Sequence, residues 1–176
     1  MEKRFIMTAF GKDRPGIVAD VTKILYENGC NLEDTSMTLL ADEFTLILLF
    51  TCKENAVEDR LLKECRRLEK ERGLSAFMRP LGQRPLPKAG QLAHCTLHVE
   101  GLDQAGIVYK VSQFLADTGI NIVDLKSEVK ASPESGTSIY MMDIHVQLPK
   151  GINADKLESG MADVADALNV DISMTR

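Results

Sequence analysis

The sequence predicts an α+β protein built from two copies of one small β-α-β-β-α-β unit, each with an antiparallel sheet. Three observations carry this. Sliding the chain over itself by 90 residues aligns Gly11-Lys-Asp-Arg-Pro-Gly-Ile-Val18 with Gly101-Leu-Asp-Gln-Ala-Gly-Ile-Val108, and the match runs on without a gap. Ten of the 24 positions from Gly11 to Asp34 are identical, so a whole unit of about 85 residues is duplicated rather than a short solenoid period. Between the copies, Pro80-Leu-Gly-Gln-Arg-Pro-Leu-Pro-Lys-Ala-Gly-Gln91 holds three prolines and two glycines without any apolar period, the composition of a linker. Inside each copy, segments of period two alternate with segments of helical period. The expected domains are residues 1–80 and 92–176, joined by a linker at 81–91.

In the first copy, Arg4 to Phe10 alternates around Phe5, Met7 and Ala9, the signature of a half-buried strand. A turn and a helix follow. Asp13 is placed to cap the helix, Pro15 has the fixed φ of a first helical turn, and Ile17, Val18, Val21, Ile24 and Leu25 form one apolar face. Gly29 stops it. Asn31 to Leu40 and Phe44 to Cys52 are rich in Thr, Leu and Ile and read as two strands joined by a tight turn at Ala41-Asp42-Glu43. Val57, Leu61, Cys65 and Leu68 then recur at helical spacing up to Gly73, and Leu74 to Met78 supplies a last strand.

The second copy repeats this order. Its strands are expected near Ala93 to Glu100, Ile122 to Ala131, Ser138 to Leu148 and Val170 to Met174, with helices near Gly106 to Thr118 and Asn153 to Leu168. The order is that of the ferredoxin-like plait, in which two helices cover one face of a four-stranded antiparallel sheet and leave the other face open. Ile6, Ile47 and Leu49 fall on the open face of the first unit, an apolar set that invites a second chain and predicts a homodimer. The matching face of the second unit carries His94, His98, Asp143 and His145.

Composition narrows the function. The chain has 21 Lys plus Arg against 26 Asp plus Glu, a net charge of −5, which disfavours direct binding to a phosphate backbone. The charge is unevenly divided, +1 before residue 92 and −6 after it, so the second domain suits a basic protein surface better than DNA. No apolar stretch matches a secretory signal or a membrane span, and Phe44 to Phe50 is the longest. Cys30, Cys52, Cys65 and Cys95 lie far apart without zinc-type spacing, and read as reduced thiols in a cytoplasmic protein.

The duplicated turn Gly-x-Asp-x-x-Gly-Ile-Val lies between the first strand and the first helix, where unpaired N–H groups and the positive end of the helix dipole converge. Such a turn can hold a carboxylate. Gly16 and Gly106 let a ligand approach the backbone, and Asn31 and Asn121 offer amide donors and an acceptor, the pairing a small zwitterion needs, with Asp34 or Asp124 to assist at its ammonium group. A purely architectural reading stands beside this one: aspartates as caps, Gly29 and Gly119 as helix stops, asparagines bonding their own turns.

Asp13-Arg-Pro-Gly-Ile-Val18, followed after a helix by Asn28-Gly-Cys-Asn-Leu-Glu-Asp34, resembles the ACT domain, a family of amino-acid-sensing regulatory modules. The resemblance covers nearly the whole chain as a tandem pair. Pro133-Glu-Ser-Gly-Thr137, Met141-Met142-Asp143 and Leu148-Pro149 further resemble the group of free-standing tandem ACT proteins that repress transcription of the glycine cleavage system. It implies a ligand site at Asp13, Arg14, Pro15, Gly16, Ile17 and Asn31, often at a domain or subunit interface, and at Asp103, Gly106, Ile107 and Asn121 in the second unit. It implies an amino acid effector such as glycine, no cofactor, and a repressor that works through a DNA-binding regulator. The second unit departs from the motif at Gln104-Ala105, losing the rigid φ and the cation.

Other constellations point elsewhere and are set aside. On the helix from Asn55 to Arg72, Arg60, Lys63, Arg66, Arg67 and Lys70 interleave with Glu58, Asp59, Glu64, Glu69 and Glu71, the pattern of an ion-paired, solvated face. RNA recognition needs exposed aromatics on the sheet, and the first and third strands offer few. His94 and His98, four apart on a strand, stand about 13 Å apart and cannot share one metal ion directly, whereas one His from each of the neighbouring strands could. The chain has no nucleophile elbow, phosphate-binding lysine loop or dinucleotide fingerprint, and both ends coincide with the repeat, so the expectation is a complete protein that is not an enzyme. The alternative to a transcriptional regulator is a ligand-binding module that tunes a metabolic enzyme by direct contact.

Overall fold

The computed structural model describes residues 3–53, 57–82, 93–132, 136–149, 151–152 and 154–175. The chain divides into two compact units, Met1–Pro85 and Leu86–Arg176. The first contains β1 (Lys3–Lys12), α1 (Ile17–Glu27), β2 (Cys30–Leu40), β3 (Glu43–Cys52), α2 (Val57–Arg72) and β4 (Ser75–Leu81). The second contains β5 (Ala93–Leu102), α3 (Ile107–Asp117), β6 (Asn121–Ala131), β7 (Ser138–Leu148), α4 (Ala154–Leu168) and β8 (Val170–Thr175). Both sheets are antiparallel, in the orders β2-β3-β1-β4 and β6-β7-β5-β8. The fold is the tandem plait that the repeat and its periodicities predict.

The core of each unit follows from the alternation. Phe5, Met7 and Ala9 on β1 and Phe44, Leu46, Leu48 and Phe50 on β3 are buried under the helices, and the rings of Phe5 and Phe50 stack at 5.6 Å. Ile17, Val21, Ile24 and Leu25 of α1 and Val57, Leu61, Cys65 and Leu68 of α2 close over them. Each such side chain contributes about 1.5–3 kcal/mol. In the second unit Leu97, Val99, Met142, Ile144 and Val146 form the sheet side of the core, beneath Val111, Leu115, Leu157 and Met161. The opposite sheet faces are open, with Ile47 exposed in the first unit and His94 and His145 in the second. Phe10 and Phe77 also meet on the first open face, at 6.1 Å.

Several local expectations are corrected. Asp13 does not cap α1, and Pro15 lies before the helix: the cap is Gly16 in the left-handed region, with no side-chain hydrogen bond. Val18 is exposed, because it stands about 100° around the helix from the buried Ile17. β4 runs past Met78 to Leu81 and includes Pro80, opposite Phe5; an edge strand tolerates the missing N–H. The predicted linker therefore begins with strand residue Leu81, and from residue 83 it lies outside the described residues. Within the segment Pro133 to Thr137, residues 133–135 lie outside them too.

The cysteines give the largest correction. Cys30 and Cys52 are register partners at the start of β2 and the end of β3, with Cα atoms 4.5 Å apart, and form a disulfide. Twenty-two residues separate them in sequence, and only the hairpin register brings them together. Cys65 and Cys95 are buried and form none. Among the described residues no helix is long and apolar enough to cross a membrane.

Candidate ligand-binding turn

The turn after β1 is stitched to the tip of the β2–β3 hairpin. The Asp13 N–H donates to the Asp42 carbonyl at 2.8 Å, and Lys12 Nζ lies 3.6 Å from Asp42 Oδ2. The second unit repeats the first of these bonds, Asp103 N–H to the Ser138 carbonyl at 3.1 Å. Gly16 (φ +86°) and Gly106 (φ +100°) then turn the chain into α1 and α3, and a Cβ at either would meet nothing within 4 Å. Both glycines are thus required by conformation, and the space before them is open to a ligand. The Gly16 and Gly106 carbonyls accept the first helical bonds, from the N–H groups of Asp20 and Lys110, each at 2.9 Å. The N–H groups of the first helical residues, from Ile17 and Ile107 onward, have no acceptor within the helix and no side-chain cap, and the helix dipole favours an anion there.

The individual side chains take different parts. Ile17 and Ile107 are buried in their cores, so what they can present to a ligand is the backbone N–H. Pro15, Asp13 and Asp103 are exposed. Arg14 folds back on its own helix: Nη2 is 2.5 Å from Asp20 Oδ2 and Nη1 donates to the Pro15 carbonyl at 3.4 Å. That hydrogen bond holds the Asp20 carboxyl below its usual 3.8. Gln104, which replaces Arg14, instead donates its amide to the Leu168 carbonyl at the end of α4. The lost cation became a strut.

The asparagines lie elsewhere. Asn31 is opposite Thr51, which pairs with Arg4, whereas the turn follows Lys12, eight residues further along β1. At about 3.3 Å per residue, roughly 26 Å separates them within one unit. Asn121 is opposite Gln147, which pairs on its other side with His94, and is as far from the turn that follows Leu102. Asp34 and Asp124 likewise sit away from the turns, beside Leu49 and His145. Within one unit, turn and asparagine therefore do not flank the same small ligand. Asp34 instead joins Ile6, Ser36, Ile47, Leu49 and Leu81 around a depression of about 330 Å³ on the open sheet face.

On the second open face, His98 bridges three strands. Its Nδ1 is 2.6 Å from Asp143 Oδ1 and its Nε2 is 3.0 Å from Thr175 Oγ1. His145 Nδ1 is engaged by Thr96 Oγ1 at 2.8 Å. Among the described residues no three His, Cys, Asp or Glu side chains converge as metal ligands. On α2, Arg67 is paired with Glu64 and Glu71, both at 3.2 Å.

The fold is a pair of ferredoxin-like plaits, each with an open glycine turn at the start of its first helix. The ACT domain family model matches residues 3–79, so the first unit is an ACT domain. A UPF0237 protein of Methanopyrus kandleri is 36% identical over 76 residues, 43% of this chain and 84% of that protein. Across both units the chain is similar to the glycine cleavage system transcriptional repressor of Escherichia coli, 27% identical over 165 residues, 93% of this chain and 85% of that one. The crystal structure of an unknown protein from Galdieria sulphuraria superposes with a TM-score of 0.79 at 27% identity, covering 99% of this chain and 98% of the other.

Proposed function

We propose that the protein is an amino-acid-sensing regulator, a transcriptional repressor of glycine cleavage type that acts through a DNA-binding partner and not on DNA itself. The observation that carries this reading is the similarity to the Escherichia coli repressor through both units, rather than through one ACT domain alone. The charge agrees with it. Residues 92–176 hold six Lys plus Arg against twelve Asp plus Glu, a surface suited to a basic protein partner.

In this reading the effector's carboxylate sits on the N–H groups after Gly16 and its ammonium group faces the Asp13 carboxylate. Asn31 cannot reach the same ligand from within its unit, so the site is completed between two copies of the chain, one supplying the turn and the other the asparagine. This makes the predicted homodimer part of the binding site. The second unit, with Gln104 committed to α4, binds more weakly.

A thermal-shift screen of the purified chain against the twenty amino acids tests the reading, followed by calorimetry on glycine. At a hundredfold excess over Kd a ligand of the folded state adds about 2.7 kcal/mol. The expected result is a shift with glycine or a close relative that Asn31→Ala and Asp13→Asn each remove. No shift with any amino acid would refute sensing. Specific binding to promoter DNA by the chain alone would refute the partner.

A further inference from the structure

We propose that Cys30 and Cys52 form a reversible thiol–disulfide switch that locks and releases the Asn31 end of β2. This rests on the reading above only in the role it gives Asn31. The geometry accommodates both states. The two residues are direct partners across the β2–β3 ladder with Cα atoms 4.5 Å apart, the spacing of the closer, non-hydrogen-bonded kind of antiparallel pair. Their side chains share the helix-facing side of the sheet, where Cys52 is 1% exposed and Cys30 is half-buried against the core. In the reduced state the Cys30 thiol has an acceptor ready, the Asn28 carbonyl, 3.7 Å from Sγ.

Access and selectivity follow from burial. Cys30 directly follows Gly29, the left-handed residue that ends α1, and of the two partners it is the one that is not fully buried. A low-molecular-weight disulfide such as glutathione disulfide is the oxidant. The Cys30 thiolate attacks one of its sulfurs, the S–S bond breaks, and one glutathione thiolate leaves. The Cys52 thiolate then attacks the Cys30 sulfur and expels the second glutathione. Two protein thiols lose two protons and two electrons, and one disulfide is reduced to two thiols. Cys65 and Cys95 do not compete: both are buried, and burial pushes the Cys65 thiol up to about 11.

What the bond controls is an edge strand. Among the described residues β2 pairs only with β3, and its residues are exposed almost throughout. Beyond Asn31 the ladder breaks at a bulge between Leu32 and Asp34, so the three residues before the bulge depend on the Cys30 end for their register. Glu33 in the bulge reaches Arg4 at 2.7 Å, an exposed pair that cannot replace a covalent tie.

The full chain is equilibrated in glutathione buffers of varied redox ratio, quenched by alkylation, mapped by peptide mass, and followed by hydrogen exchange. The expected result is a Cys30–Cys52 disulfide that forms and breaks reversibly with the ratio. Amides of residues 30–33 should exchange at least tenfold faster in the reduced form, with those of α2 unchanged. Cys30→Ser, at the half-buried partner, should show the fast exchange at every ratio. Absence of the disulfide at all ratios, or equal exchange in both forms, overturns the proposal. Exchange reports on the strand without a ligand, so failure of glycine to bind either form would sink the sensing reading and leave the switch standing.

Discussion

Replacing Gly16 separates conformation from ligand access at the turn. Gly16 holds φ +86° at the N-terminus of α1, and a Cβ built on it meets nothing within 4 Å. The cost of Gly16→Ala is therefore backbone strain without a clash, about 1–2 kcal/mol for a non-glycine residue in the left-handed region. For a unit of this size each kcal/mol lowers Tm by about 4–8 °C, so a fall of roughly 4–16 °C is expected. Asn visits this region more readily, and Gly16→Asn should lose less. Gly16→Val adds a branched Cβ to the same strain and should lose more, so it is a poor probe of ligand access. Differential scanning calorimetry of the three variants measures the series, and calorimetric titration with glycine well below each Tm measures binding. An unchanged Tm for Gly16→Ala, or an Asn variant no better than the Ala variant, would refute the positive φ as the reason for glycine here.

Two further outcomes test the structure. In a carboxyl NMR titration, Asp20 should titrate below 3.8, and Arg14→Gln should raise it toward that value, because the guanidinium hydrogen bond is the main cause of the depression. The sign follows: the pair's contribution to stability is present above the unfolded value near 3.8 and fades as pH falls through the lower folded value. Gly160→Ala should cost about 1–3 kcal/mol by overpacking, since a Cβ there would stand 2.6 Å from two atoms of the Phe114 ring. Urea unfolding measures it, and adding Phe114→Leu should recover part of the loss; no loss in the single variant would show that the two helices yield at that contact.

The effect of the repeat reaches beyond fold recognition. The duplication lets the two units be compared position by position. Arg14 stays on its own helix while Gln104 reaches across to α4. The open face of the first unit is apolar at Ile6, Ile47 and Leu49, whereas that of the second is a hydrogen-bonded row from Asp143 through His98 to Thr175. These differences fit one unit that senses and another that contacts a partner, the division proposed above.

The sequence by itself determined the elements, their order and the two cores, because those depend on local period. Alternation placed Phe5, Met7 and Ala9 inward, and spacing of three and four placed Val57, Leu61, Cys65 and Leu68 on the buried face of α2. It also placed the glycine turn, since a duplicated Gly-x-Asp-x-x-Gly survives any uncertainty in helix ends. Only the tertiary structure decided which of these residues meet. Register is a property of two strands at once, and it alone brought Cys30 to Cys52 and set Asn31 against Thr51. One signal for the second was present. α1, 11 residues long, runs about 16 Å back along the sheet before β2 begins, so β2 must start at the end remote from the turn. Motif spacing counts residues along the chain, whereas a binding site is a distance in space, and the helix between Gly16 and Asn31 converts a short separation in the first into a long one in the second.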